Sequence, residues 1–531
     1  MRQGITAPWW RRLIVLAALL SLIAAACGGD DDTDADDDTD AAADVDPNGV
    51  VRMMTSLLPT SSYVQLDPAT AVTPAVLPHQ MIYDTLLRAQ ADGSYTPGLA
   101  KSAEVVDPTT IKIELKPGIK FTDGTDLDAA AVKFSIDRMV AANNPGAIAV
   151  EMKQVESVTV DTPLTLTVKL KTPIAGIFYV YLSRGETMVV SPTAVRAGQD
   201  MKTAPVGAGP FKFESLRSED RMVFVKNEDF FEADKIRVKT VEFVHTASPE
   251  STQNALRTKV ADIADNVTTD IVRNLEGTGL EISQKVTDSV LFWGQTCKSR
   301  PPLDNVKVRQ ALNFGLDRDA LNEVLYDGKS EPQWGFWSKG SKFHDPDLDD
   351  FYKLDIDKAK RLLTEAGFPN GFTTQLVVSN VGGITTTAAE LIQQQWAKIG
   401  VKVDLVASSN IVQDFFIENK YPTQFFPLQR QGLDKVTRNL VPGSIGNICN
   451  WNDPALNDLV AKIRAVAQDS DEAVELWHQL DRLALEQAMN FFGVFGTTAN
   501  VWDGDKLGNV KFTPNFQGVP YLDFFSVYVK K

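Results

Sequence analysis

The chain has 531 residues, 44% of them hydrophobic and 23% charged, proportions ordinary for a globular protein. That length exceeds what one hydrophobic core serves, so two or three lobes are expected. The formal charge is -16, but Asp30 to Asp46 holds ten Asp and no basic residue; the folded body is only mildly acidic, and without a basic patch carrying interleaved aromatics a nucleic-acid partner is not expected.

Arg2, Arg11 and Arg12 precede a fourteen-residue apolar run, Leu13 to Ala26. The run is short for a membrane span and suits the apolar region of a signal peptide. It ends in Ala24-Ala25-Ala26 before Cys27-Gly28, which resembles a lipobox, although Leu is usual where Ala24 stands. Two readings stay open: Cys27 is lipidated as the mature N-terminus, or it is incidental to a plain secretory signal. The acidic tract then reads as a disordered tether. No later segment has the length of a transmembrane helix, so an exported globule on a leash is expected. Cys297 and Cys449 are the remaining cysteines. A disulfide and two buried thiols are both open, because spacing does not tell whether the Cα atoms come within the ~7 Å that a bridge requires.

Val50 to Met54 reads as a strand, followed by a Ser/Thr/Pro-rich loop to Pro78 that contains Tyr63, a candidate ligand contact. His79 to Arg88 is expected as a short helix. Thr110 to Leu115 alternates, with Ile111, Ile113 and Leu115 on one side. Asp128 caps a helix through Val140, and Val155 to Val160 with Leu164 to Leu170 forms a hairpin. The region reads as its own α+β lobe. Pro205 to Phe211 carries two glycines between prolines, a forced backbone and not a phosphate cradle, since no Lys-Ser/Thr or helix follows. Phe211 to Leu216, Arg221 to Lys226 and Val238 to Val244 are strands, Pro249 to Lys259 a helix, and a short strand lies near Asp262-Ile263-Ala264.

Pro301 to Pro332 predicts two helices. Val308, Ala311, Leu312 and Leu316 make one apolar face behind Asp304 as cap. Leu321, Val324 and Leu325 make another behind Asp317 or Asp319, closed by Gly328. Beyond them Asp355 caps a helix closed by Gly367, Thr373 to Ser379 is a strand, Thr386 to Ile399 a helix and Val401 to Ala407 a strand. This is a βαβ pattern that predicts a partly parallel sheet. Helices at Pro454 to Val466 and Asp471 to Gln487 precede strands near Phe491 to Phe495.

No catalytic constellation stands out. The four His (His79, His245, His344 and His478) lie far apart and in no HExxH context, and no GxSxG elbow, Walker loop or dinucleotide fingerprint is present. An enzyme, a cofactor and a metal site are therefore not expected. After the signal region every Trp lies beyond residue 290. Trp396 and Trp477 read as core. Trp293, in a strand-like FWGQT, and Trp334 and Trp337, in a loop, are candidates to stack on a ligand or grip its backbone.

The segments IYDTLLR, YTPGLAKSAEVVDPTTIKIELKPGIKFTDGTDLDAAAVKFSIDR, PVGAGPFKF, PPLDNVKVRQALNFGLDRDAL, KAKRLLTEAGFPNGF and KIGVKVDL, in this order, resemble the extracytoplasmic solute-binding proteins of ABC importers, family 5, the peptide/nickel-binding group. Ala208 stands where that family usually has Thr. The resemblance implies an α/β bilobal fold of the type II periplasmic-binding-protein kind, with a hinged cleft and an inserted α+β subdomain. It implies a signal peptide over 1–26, an anchor and tether over 27–47, and a discontinuous first lobe over 48–78, 206–287 and 493–531. The subdomain would span 79–205 and the second lobe 288–492. In peptide-binding relatives an acidic residue of the second lobe takes the peptide's α-amino group; Asp434 is the nearest acid here, and Arg430 offers a bidentate partner for a carboxylate. The implied function is delivery of a solute, foremost a peptide, to membrane permease subunits with their cytoplasmic ATPases, by a monomer anchored outside the cytoplasm. An oligosaccharide or a metal chelate is the alternative within the family, and an exported hydrolase the alternative outside it.

Overall fold

In the computed structural model the described residues are 44–55, 66–69, 76–90, 94–141, 152–217, 220–246, 248–297, 299–379, 383–429, 435, 439–442, 444, 447, 451–514 and 520–531. The chain begins with β1 (Val50–Thr55) and α1 (Val76–Ile82). The expected helix from His79 to Arg88 is corrected. The helix stops at Ile82, and β2 (Leu87–Ala89) pairs antiparallel with β3 (Tyr95–Pro97). The cause lies in the Gly-Pro turn: Gly209 donates its N–H to Ile82 O at 2.9 Å. A Cβ on Gly207 would fall 2.2 Å from the same carbonyl. The turn thus presses its backbone against the end of α1, an approach that only glycine permits.

β4 (Ala100–Asp107), β5 (Thr110–Leu115), β6 (Val155–Thr162) and β7 (Thr165–Leu170) form an antiparallel sheet in the order β4-β5-β7-β6. Ile111, Ile113 and Leu115 are buried, as their alternation predicts. α2 (Ala129–Val140) covers this sheet; Asp128 accepts the Ala131 N–H at 2.9 Å as its N-cap. α3 (Ala175–Tyr181) and α4 (Pro192–Arg196) close the region.

β8 (Phe211–Arg217), β9 (Arg221–Lys226), β10 (Thr240–His245) and β11 (Ile263–Val267) follow, with α5 (Pro249–Arg257) and α6 (Thr269–Leu275) on either side of β11 in sequence. β12 (Glu281–Thr296) is sixteen residues long and leads to the central helix pair, α7 (Val306–Phe314) and α8 (Arg318–Tyr326). The N-cap of α7 is Asn305 and not Asp304; Asn305 Oδ1 accepts the Lys307 N–H at 2.9 Å. Asp304 sits in the preceding turn, where its carbonyl accepts from Arg309. Asp317 caps α8, accepting the Ala320 N–H at 3.0 Å.

α9 (Ile356–Glu365), β13 (Phe372–Ser379), α10 (Ile384–Ala397) and β14 (Val401–Ser408) realise the βαβ pattern, with β13 and β14 parallel. Trp396 of α10 is fully buried and donates its Nε1–H to Leu312 O at 2.9 Å, tying α10 to α7. β15 (Thr423–Gln429), α11 (Pro454–Ala465), α12 (Asp471–Glu486) and β16 (Asn490–Trp502) complete the body. β16 extends well past the expected Phe491 to Phe495.

Ten strands make one sheet in the order β14-β13-β15-β12-β16-β11-β1-β10-β9-β8. Its two halves are joined by β12 and β16, which run antiparallel from Glu281↔Trp502 to Gln295↔Asn490. The pairing breaks midway: Thr287 faces Gly496, yet the next paired residue of β12, Leu291, faces Phe495. Asp46–Lys531 is one compact unit.

Candidate ligand-binding crevice

Strand direction fixes where a ligand site falls. β11 enters opposite Trp502 and ends near Ala499, so it runs toward the register break; β1 and β10 are parallel to it. β15 enters opposite Thr296 and ends at Gln429 opposite Val290, so it runs toward the same break from the other side; β13 and β14 are parallel to it. The carboxyl ends of two sets of parallel strands therefore face each other across the break in β12 and β16. In open α/β sheets ligands bind in the crevice outside such carboxyl ends.

A pocket of about 210 Å³ opens at these ends of β1, β10 and β11. Met54, Ala264 and Ile271 supply apolar surface, and Thr246, Ser248, Thr252 and Thr268 supply hydroxyls. Beneath it Met54, Leu256, Ala261, Ala264, Ile271, Leu275 and Val501 form a small core of their own. Asp265 is the one charged side chain lining this pocket among the described residues. Desolvation pushes its carboxyl up to about 7, against the hydrogen bond of its own backbone N–H.

A second cavity, about 250 Å³, lies elsewhere, between α1, β2 and the C-terminal segment around Thr513, Tyr521 and Phe525. Its central cation is already partnered: Arg88 pairs with Asp84 at 2.5 Å and Glu232 at 2.8 Å, and lies over the Phe525 ring. Lys235 pairs with the same Glu232. The Arg88–Phe525 contact ties the C-terminal segment to the body.

Of the residues singled out from sequence, Tyr63, Arg430, Asp434, Cys27 and Cys449 lie outside the described residues. Trp293 pairs through its backbone with Phe426 of β15 and Phe492 of β16, next to the register break. Trp334 is half-buried, with the Arg318 guanidinium 4.8 Å from its ring centre. Trp337 is buried, edge-on to Trp477 at 4.7 Å, with Lys435 Nζ 3.8 Å from its ring centre. Cys297 is fully buried and disulfide-bonded. Nothing local marks Asp265: an acid within a short strand has no signature until the strand's partners are known.

Among the described residues no helix is long and apolar enough to cross a membrane. Nor do three or more His, Cys, Asp or Glu residues there come together as a group able to hold a metal ion.

The sheet crossed by two long strands, with carboxyl ends converging on one crevice, defines a hinged solute-binding protein of the type II periplasmic class. The pattern of the bacterial extracellular solute-binding proteins, family 5 (middle region), matches residues 94–428, and the chain belongs to that family. The family is one of extracytoplasmic substrate-binding proteins that serve ABC importers. The glutathione-binding protein GsiB of Pectobacterium atrosepticum is 29% identical over 359 residues, 65% of this chain and 68% of that protein. HbpA2 from Haemophilus parasuis superposes with a TM-score of 0.78 at 21% identity, over 91% of this chain and 100% of the other. DppA from Helicobacter pylori, in complex with the peptide STSA, superposes with a TM-score of 0.70 at 20% identity, over 92% and 99%.

Proposed function

We propose that the carried solute is a peptide, held in the crevice where the carboxyl ends of β1, β10 and β11 face those of β13, β14 and β15. The observation that carries this reading is the convergence of both strand sets on the register break at Thr287–Leu291 and Phe495–Gly496. Closure is a rigid-body motion about β12 and β16, and the ligand biases its equilibrium by touching both sides. A glutathione-binding relative and a peptide-bound structural neighbour support a peptide over a sugar or a metal chelate. The first lobe comprises 48–78, 206–287 and 493–531, the inserted subdomain 79–205 and the second lobe 288–492.

In this reading Tyr63, Trp293, Arg430 and Asp434 contact the peptide, while Trp334 and Trp337 stiffen the wall behind it. Cys27 carries the lipid that anchors a monomer outside the cytoplasm, the acidic tract that follows serves as the tether up to Asp46, where the folded body begins, and Cys449 is the partner of Cys297. The protein binds and releases its solute unchanged, without catalysis, and passes it to the permease. Native mass spectrometry of the mature protein tests the ligand class. Retained masses spread over many peptides support the reading; a single sugar or metal complex contradicts it.

A further inference from the structure

β11 is bulged at its crevice end. Ala264 faces Val501 and Val267 faces Ala499, so Asp265 and Asn266 together oppose Asn500 alone. Asn266 takes the left-handed φ of 47°, which Asn tolerates better than most residues, and its N–H donates to Asn500 Oδ1 at 3.0 Å. Pairing with β1 has already ended at Ala264. A bulge of this kind re-aims the side chains it carries. Ile263 and Ala264 are buried, and the next residue, Asp265, lines the pocket.

Asp262, three residues earlier and just before the strand, shows what a structural acid looks like here. It accepts the Arg52 N–H at 2.8 Å and Lys506 Nζ at 2.7 Å. Asp265 has no such company: no ion pair or side-chain hydrogen bond from a described residue reaches its carboxylate, and the other described side chains of the pocket wall carry no charge. Holding a half-desolvated carboxylate without a partner costs free energy, and a cation arriving from outside recovers it.

We propose that Asp265 receives a cationic group of the solute, an ammonium or guanidinium, and so selects amine-bearing ligands. The hydroxyls of Thr246, Ser248 and Thr268 line the same pocket, and an ammonium has three donors to distribute between a carboxylate and such oxygens. A volume of about 210 Å³ suits the end of a side chain and not a whole peptide, so the rest of the ligand extends into the crevice. The inference rests on the crevice being the binding site, but not on the ligand being a peptide.

The test is native mass spectrometry of the full chain and its Asp265→Asn variant, each exposed to one mixed pool. The pool contains N-acetylated tripeptides with lysine or with norleucine at the same position, so that lysine brings the only ammonium, and amino sugars beside their neutral counterparts. Wild type is expected to retain the cationic members over the neutral ones by about tenfold, the scale of one charge-assisted hydrogen bond, and Asp265→Asn to lose that preference. Asp265→Glu is expected to keep part of it. Thermal unfolding of ligand-free Asp265→Asn at or above the wild-type temperature shows that the variant folds. Equal retention of cationic and neutral members by wild type, or a preference unchanged in Asp265→Asn, overturns the proposal. Amino sugars lost in the variant overturn the peptide reading and leave Asp265 standing. No adduct on wild type overturns both.

Discussion

The ring of Phe491 fills the space in which a side chain on Gly294 would sit. The two residues face each other across β12 and β16, and a Cβ at 294 would fall 1.6 Å from Phe491 Cζ. Phe491 has nowhere to retreat, since it stacks on Phe425 at 5.9 Å and meets Trp396 edge-on at 4.9 Å. Gly294→Ala is therefore expected to destabilise the protein by about 1–3 kcal/mol, the usual cost of overpacking a core. Urea unfolding measures it, and an unchanged midpoint contradicts this account of the strand pair.

The central motif is held by buried arginines as well as by its apolar faces. Arg309, almost fully buried, donates to Leu303 O at 2.8 Å and Gln487 O at 2.8 Å. Gln487 is the C-cap of α12, where the helix dipole favours a cation. Arg309→Met retains much of the volume but leaves these carbonyls unpaired. A loss of about 3 kcal/mol is expected by denaturant titration, the upper range for hydrogen bonds from a charged donor.

α3 touches the second half of the molecule far along the chain. A Cβ on Gly176 would lie 1.9 Å from Val466 O, just beyond α11, and Tyr179 donates its hydroxyl to Asp469 Oδ2 at 3.4 Å. Backbone meets backbone there, so the clash of Gly176→Ala is not relieved by a side-chain rotation. The variant is expected to open this contact. Small-angle scattering would then give a larger radius of gyration for the ligand-free protein, whereas an identical radius counts against a role for α3 in holding these two parts of the chain together.

Asp481 gives a pH dependence of definite sign. Burial pushes its carboxyl up to about 8, against the Phe336 N–H and the charge of Lys435 that favour ionisation. Between the unfolded carboxyl value and about 8 the folded protein holds a proton that the unfolded chain has lost. Stability from this group is complete at acid pH and falls as pH rises through that window. Asp481→Asn cannot ionise, so its melting temperature is expected to decline less than that of wild type between pH 5 and pH 8, by an amount corresponding to about 1 kcal/mol or more. Parallel declines sink the assignment.

Cys297 is disulfide-bonded and fully buried. If its partner is Cys449, non-reducing peptide mapping recovers those two peptides joined. Cys297→Ser is then expected to lose about 2–4 kcal/mol, the usual contribution of a native bridge. Free Cys449 in the mapped wild type excludes the pairing.

Much of the fold was legible in sequence because its signals are local. The alternation of Ile111, Ile113 and Leu115, the Asp128, Asp317 and Asp355 caps, and the βαβ pattern from Phe372 to Ser408 all depend on near neighbours. Expectation and structure part where distant chain decides. The helix from His79 stops at Ile82 because Gly209, far along the chain, takes the Ile82 carbonyl. The length of β16 depends on finding β12 and β11 as partners. Asp265 has no local mark for the same reason: like Asp262 it follows an alanine, and only the tertiary structure gives Lys506 to one and an open pocket to the other.

A ligand gripped where the two strand sets converge leaves a footprint that hydrogen–deuterium exchange of the mature protein reads, with and without a saturating tripeptide pool. Protection is expected at the carboxyl ends of β1, β10, β11, β13 and β15 and around Thr287–Leu291 and Phe495–Gly496. Protection confined to the cavity around Arg88, or absent from the strand ends, would contradict that grip.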